Sequence, residues 1–202
     1  MEPVVEKDLT DQPDGATPLT PEDLEGLLPG HISTRGELDE WEAQNILKAR
    51  TWVNAGRHGV LDDKFVRDLH KKMFDETWEW AGQYRNDERN IGIDPRNVSP
   101  TVRNLCENTK ARLAAGEEAE KMAVWFHHQL TQIHPFRNGN GRHARLTTDQ
   151  LLVSLGRQPF TWGLGDLVYA GETRERYIAA LREADKGDPR PLAEFVRSGG
   201  RR

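Results

Sequence analysis

Residues 134–145 read His134-Pro135-Phe136-Arg137-Asn138-Gly139-Asn140-Gly141-Arg142-His143-Ala144-Arg145, between two segments of helical periodicity. Upstream, Met122, Phe126, Leu130 and Ile133 recur at helical spacing and predict a helix from about Glu118 to Ile133. Pro135 disfavours helical geometry at His134 and ends it there. Downstream, Ala144, Thr148, Leu151, Leu152 and Leu155 predict a second helix that starts near Asn140 or Gly141 and runs until Gly156. The stretch is therefore a helix C-terminus bearing an imidazole, a glycine-interrupted turn, and a helix N-terminus bearing two arginines. A helix N-terminus presents unpaired N–H groups and a partial positive charge, and glycines let a ligand approach the backbone, so the turn reads as an anion site suited to phosphates. Arg142 and Arg145 are three apart, on one face, where both can reach one polyphosphate. His134 faces the same turn and can act as a general base near neutral pH. The combination points to a hydroxyl nucleophile deprotonated beside a bound nucleotide.

Working outward, Leu38, Trp41, Ile46, Ala49 and Val53 predict a helix over about Leu38 to Val53, closed by Gly56 and Gly59. A second, capped by Asp62 or Asp63, carries Phe65, Val66, Leu69 and Met73. Between Gly82 and Ser99 the helical period disappears, and Asn90-Ile91-Gly92-Ile93-Asp94-Pro95 alternates like a strand or hairpin, polar enough to be an exposed flap. Ser99-Pro100 reads as a helix start, after which Val102, Leu105, Cys106, Thr109 and Leu113 share a face. Thr173 to Ala184 and a short Pro191 to Val196 segment complete the set. The fold class is all-α with one small β element.

The 202 residues suit one domain, and 28 Lys+Arg against 33 Asp+Glu leave a net charge of −5. That balance argues against non-specific nucleic-acid binding, which needs a basic surface. With 36% hydrophobic residues, no window approaches the roughly 18 apolar residues of a membrane span. The start MEPVVEKDLT has no secretory character and a single cysteine forms no internal disulfide, so a cytoplasmic location is expected. Residues 1–30 hold Pro3, Pro13, Pro18, Pro21 and Pro29 among acids and read as a mostly irregular segment, in which Thr20-Pro21-Glu22-Asp23 has the form of a helix cap.

His134, Phe136, Gly139, Asn140, Gly141, Arg142 and Arg145 together match the signature of the Fic/Doc family, which this chain resembles over about residues 31–197. Leu69-His70, Trp80-Ala81-Gly82 and Tyr84-Arg85 ahead of the flap, and Tyr177 to Leu181, Ala184-Asp185 and Gly187-Asp188 behind, are similar to family members. The likeness looks closest to the short bacterial subgroup catalogued as mobile mystery protein B. It implies a Fic-like helical bundle with a β-hairpin flap beside the active-site loop, residues 31–202 forming the Fic domain. It also implies a protein adenylyltransferase, transferring AMP from ATP to a Tyr, Thr or Ser hydroxyl of a target protein, with Mg²⁺ as cofactor. His134 would be the catalytic base and Phe136 the loop anchor. Gly139, Asn140, Gly141, Arg142 and Arg145 would bind the nucleotide, and Ile91, Gly92 and Ile93 would dock the target by main-chain pairing. A toxin role is implied too, with an antitoxin partner or an inhibitory helix whose glutamate pairs with Arg145; Glu25, Glu37 and Glu42 are its candidates.

The family's metal-binding acid is replaced here by Asn138, a weaker Mg²⁺ ligand or positioner because an amide brings no formal charge. The alternatives are accordingly a catalytically weak nucleotide-binding or interaction module, or a Doc-like phosphotransferase. Elsewhere the plainer readings hold. Arg137 reads as a solvated loop residue and His143 as a surface one. His127 and His128 point about 100° apart, poor geometry for one metal. Trp41, Trp78, Trp80 and Trp125 read as core or flap-base packing.

Overall fold

The computed structural model describes Leu9, Gly15 and residues 17–165, 167–168 and 171–199. Its helices are α1 (Pro21–Glu25), α2 (Arg35–Ala55), α3 (Asp63–Phe74), α4 (Val98–Ala114), α5 (Ala119–Ile133), α6 (Asn140–Ser154), α7 (Glu172–Asp185) and α8 (Arg190–Arg197). Single 3-10 turns occupy Pro95–Asn97 and Trp162–Leu164.

The α5–α6 pair forms the middle of the molecule. Glu118 caps α5, its carboxylate accepting from Glu120 N at 2.8 Å and Lys121 N at 2.7 Å, which satisfies donors that an uncapped first turn leaves open. On one side Phe126, Leu130 and Leu151 join Leu38, Val66, Leu69, Met73, Trp78 and Val102 from α2, α3, α4 and the loop after α3. On the other, Ala123, Val124 and Leu152 meet Trp162, Tyr177, Leu192, Phe195 and Val196. Because α5 and α6 are gripped from both sides, the loop between them leaves a rigid base. Cys106, Trp78 and Trp80 are core, while Trp41 and Trp125 are partly buried against it.

Several expectations are corrected. α4 begins at Val98 behind the Pro95–Asn97 turn, so Ser99 lies inside the helix and is not its cap. The β-hairpin flap is absent: among the described residues there is no strand, only an isolated antiparallel bridge between Leu27 and Trp78. Residues 90–93 are bends. The ladder groups that a hairpin needs are engaged elsewhere, Ile93 N–H with Ile133 O at 3.4 Å and Ile93 O with the Arg85 guanidinium. Gly92 at φ 115° leaves the strand region altogether, and a Cβ there would stand 2.8 Å from His134 Cβ. Isolated two-stranded hairpins are marginal in any case.

Ahead of α2, α1 forms as its capping residues predict, Thr20 and Asp23 bonding reciprocally. Asp23 is buried and receives Arg89 through two bonds of 2.5 and 2.8 Å. Burial alone would raise its carboxyl, but Arg89 and the Thr20 N–H outweigh that and hold it below its ordinary value. Residues 17–27 are thereby fastened to the body of the protein. No helix of the described residues is long and apolar enough to cross a membrane.

Candidate active site

His134 is the C-cap of α5, in the left-handed region at φ 52°, ψ 62°. Pro135 denies it helical geometry, and its N–H still closes on Leu130 O at 3.2 Å. Arg85, buried under the loop, donates from Nε to His134 O at 2.7 Å and from Nη2 to Ile133 O at 3.4 Å, completing the carbonyl end of α5 with a cation where the helix dipole favours one. The Thr131 backbone favours the protonated imidazole. Nε2 lies 2.6 Å from the Thr17 hydroxyl, with which it shares a hydrogen bond. Burial, with Arg85 nearby, pushes the imidazole down to about 4, so it is neutral at pH 7. Negative charge from an entering triphosphate would raise it and strengthen it as a base.

The loop is braced from within. Asn140 Oδ1 accepts from Phe136 N at 2.9 Å and its Nδ2 donates to Phe136 O at 2.8 Å, closing residues 136–140 into a ring. Its side chain is thus a brace for the loop, and Gly139, Asn140 and Gly141 line the pocket beside Arg142 and Arg145. Phe136 is fully buried, stacked on His70 with centroids 3.7 Å apart. His70 accepts from Gly82 N at 3.0 Å on Nδ1, so Nε2 carries the hydrogen given to Asn138 O at 3.1 Å. Gly139, at φ 75°, could carry no Cβ without meeting Phe74 ring carbons at 2.5 Å.

Arg142 and Arg145 share the pocket wall as their spacing predicts. Arg142 pairs with the buried Glu42 at 2.7 Å, and Glu42 also accepts from Trp78 Nε1 at 2.7 Å. Arg145 lies 5.6 Å from the Tyr177 ring centroid, and the Tyr177 hydroxyl is 2.8 Å from His127 Nε2. The glutamate expected on Arg145 is therefore on Arg142. Of the other candidates, Glu37 caps α2 through Ser33 and Thr34, and Glu25 is exposed. Arg137 is not simply solvated, since it reaches Asp23 at 3.4 Å and Asn86 at 3.3 Å. His143 is not a surface residue. It is fully buried, donates to Val66 O at 2.8 Å and is pushed down by burial to about 4; one face of α6 must pack on α3, and His143 lies on it.

Ile91, Gly92 and Ile93 line the same pocket, whose volume is about 670 Å³, within the range of small-molecule sites. A resident Mg²⁺ does not fit these residues. Asn138 Oδ1 is engaged with Gly139 N at 2.6 Å, Nδ2 donates to Thr17 O at 3.1 Å, and the described residues hold no cluster of three or more His, Cys, Asp or Glu placed for a metal.

His70 and Arg85 stand out in the sequence only as positions similar to family members, with no role in the site attached to them. Thr17 lies 117 residues from His134 in an acidic segment and had no signal at all.

The Fic/DOC family model matches residues 60–152. The Sinorhizobium fredii protein named "Probable protein adenylyltransferase y4lH" is 31% identical over 176 residues, covering 83% of this chain and 86% of that protein. Protein adenylyltransferase fic-1 of Caenorhabditis elegans is 28% identical over 86% of this chain, which spans only 26% of that relative's length. In structure, the ADP-bound N-terminal Fic domain of a Bartonella quintana effector protein superposes with a TM-score of 0.68 at 20% identity, covering 83% of this chain and 86% of that one, which establishes a shared fold. With the signature loop braced between α5 and α6 and a relative alike along most of both chains, this chain belongs to the Fic/DOC family.

Proposed function

We propose that this chain is a protein adenylyltransferase that moves AMP from ATP to a Tyr, Thr or Ser hydroxyl of a target protein. The observation that carries this is the neutral His134 imidazole, its Nε2 hydrogen-bonded to a hydroxyl at 2.6 Å, in a pocket walled by Arg142 and Arg145. His134 takes the hydroxyl proton as the oxygen attacks the α-phosphorus and pyrophosphate leaves. The guanidinium groups of Arg142 and Arg145 hold the outer phosphates, and Gly139, Asn140 and Gly141 provide the turn along which the triphosphate lies. Phe136 anchors the loop. Ile91, Gly92 and Ile93 contact the target segment, through side chains and pocket shape rather than a strand ladder.

The Mg²⁺ that the resemblance implies would come bound to the triphosphate, because Asn138 offers it no charge; it supplies phosphate neutralisation there, and no step of this chain's residues depends on it. Residues 31–202 form the catalytic domain, and the acidic segment 1–30 is its appendage. Glu42 on Arg142 supports restraint of the nucleotide site by α2, an intramolecular inhibitory helix consistent with a regulated toxin in the cytoplasm; an antitoxin partner would act at the same face.

A second reading, a weak nucleotide-binding module, draws on Asn138 alone. ATP labelled separately at the α- and γ-phosphates distinguishes them. α-label on protein, abolished by His134→Ala, is the expected result; γ-label would indicate a phosphotransferase, and neither label a binding module.

A further inference from the structure

Helices α5, α6 and α7 converge on one hydroxyl at the pocket wall. Tyr177 of α7 is buried yet lines the pocket, and its phenol oxygen accepts a hydrogen from the Arg145 guanidinium of α6, which has donors only. The same hydroxyl shares a hydrogen bond of 2.8 Å with Nε2 of His127 on α5. His127 is fully buried and stands behind the pocket wall, not on it. Its Nδ1 lies 3.4 Å from Thr148 Oγ1, and the Trp162 ring packs against it with centroids 4.6 Å apart, so the imidazole is held on both sides.

The two arginines of the site are therefore secured in different ways. Arg142 is paired with the buried Glu42, and a carboxylate offsets its charge. Arg145 is held by a phenol, while Asp149, the carboxylate that acts on it electrostatically, is bonded to Trp162 Nε1 at 3.0 Å and Phe160 N at 3.1 Å. Burial pushes His127 down to about 3 and raises Tyr177, so both groups behind Arg145 are uncharged at pH 7. An uncharged anchor fixes the guanidinium while leaving its positive charge to an anionic ligand. Fixation in advance also removes the rotamer freedom that a long side chain otherwise gives up on binding, and it keeps the planar fork in register with phosphate oxygens.

Resting on the reading of Arg145 as a ligand of the outer phosphates, we infer that His127 is a positioning residue of the nucleotide site, acting through the Tyr177 hydroxyl to hold the Arg145 guanidinium at the pocket wall. His127 itself touches no substrate; its effect passes entirely through Arg145.

ATP and AMP binding to the full chain are measured by calorimetry, and transfer of α-label from ATP to lysate proteins is followed separately. Tyr177→Phe keeps the ring and removes only the hydroxyl, His127→Leu removes the nitrogens, and His127→Gln returns a polar group at the reach of Nε2. ATP binding should weaken about tenfold in Tyr177→Phe and His127→Leu, as expected for a misplaced charge-assisted contact, while AMP, which has no outer phosphates, binds within about twofold of the wild type. His127→Gln should recover most of the ATP affinity. In an Arg145→Ala background ATP binding is already weak, and His127→Leu should weaken it no further. Equal losses for ATP and AMP, or losses from His127→Leu and Arg145→Ala that add, would overturn the inference, as would ATP binding to Arg145→Ala at wild-type affinity. If His127→Leu fails to fold, Tyr177→Phe alone and combined with Arg145→Ala carries the same comparison. The expected binding pattern with no α-label on any protein would overturn adenylyl transfer and leave the positioning role standing. A wild-type chain that binds no ATP would overturn both.

Discussion

The loop 134–145 and the segment 86–94 line the same pocket but are held in opposite ways. The loop is closed on itself by Asn140 and Phe136, stacked on His70, and set between two helices packed from both sides. Segment 86–94 has no ladder of its own. It hangs from side chains that start outside it, Arg85 on Ile93 O and Asp23 on Arg89. Phosphate chemistry requires one geometry held to within a fraction of an ångström, whereas meeting a protein acceptor rewards a surface that can adapt. One pocket combines a rigid wall and a compliant one.

Acidification should break the rigid side most. His134, His143 and His127 are pushed by burial to about 4, 4 and 3, against 6.5 when unfolded. Between those values the unfolded chain binds more protons, so stability is full above pH 6.5 and falls as the pH drops towards 4, by up to about 4 kcal/mol per pH unit if all three titrate together. Urea melts at pH 7, 6 and 5 check this; a flat midpoint would contradict it. Segment 86–94 contains no histidine and should add nothing to the slope.

Next in size is Phe136→Ala, expected to cost about 3–5 kcal/mol of stability and most of the activity, because the emptied site lies under the base. Asn140→Ala should cost about 1–3 kcal/mol by leaving Phe136 N–H unpaired, yet lower turnover by about 100-fold, read as kcat falling with ATP affinity little changed. The smallest structural effect belongs to Ile91→Ala, within about 0.5 kcal/mol in a thermal melt. Its signature is a higher KM for a protein acceptor at unchanged ATP affinity. A large loss of stability in Ile91→Ala would erase the contrast between the two walls.

Helices α5 and α6 were legible because their information is local: apolar spacing, Pro135 as a stop and glycines in the turn. Arg142 and Arg145 on one face follow from the same periodicity. The flap misled because an Ile-Gly-Ile alternation specifies a strand only where a partner strand exists, and the neighbours of Ile93 are Arg85 and Ile133. His143 and Arg137 misled because charge and polarity predict exposure only until a distant partner, Val66 O or Asp23, is supplied.

By itself, the sequence determined a mainly helical chain, the turn between its central helices and the basic residues at that turn, since each depends on neighbours within a few positions. Only the tertiary structure decided which groups meet across the chain: Glu42 with Arg142, Arg85 with the end of α5, and Thr17 with His134. Those meetings are set by packing two core layers around α5 and α6, and contacts of long separation leave no period in a sequence.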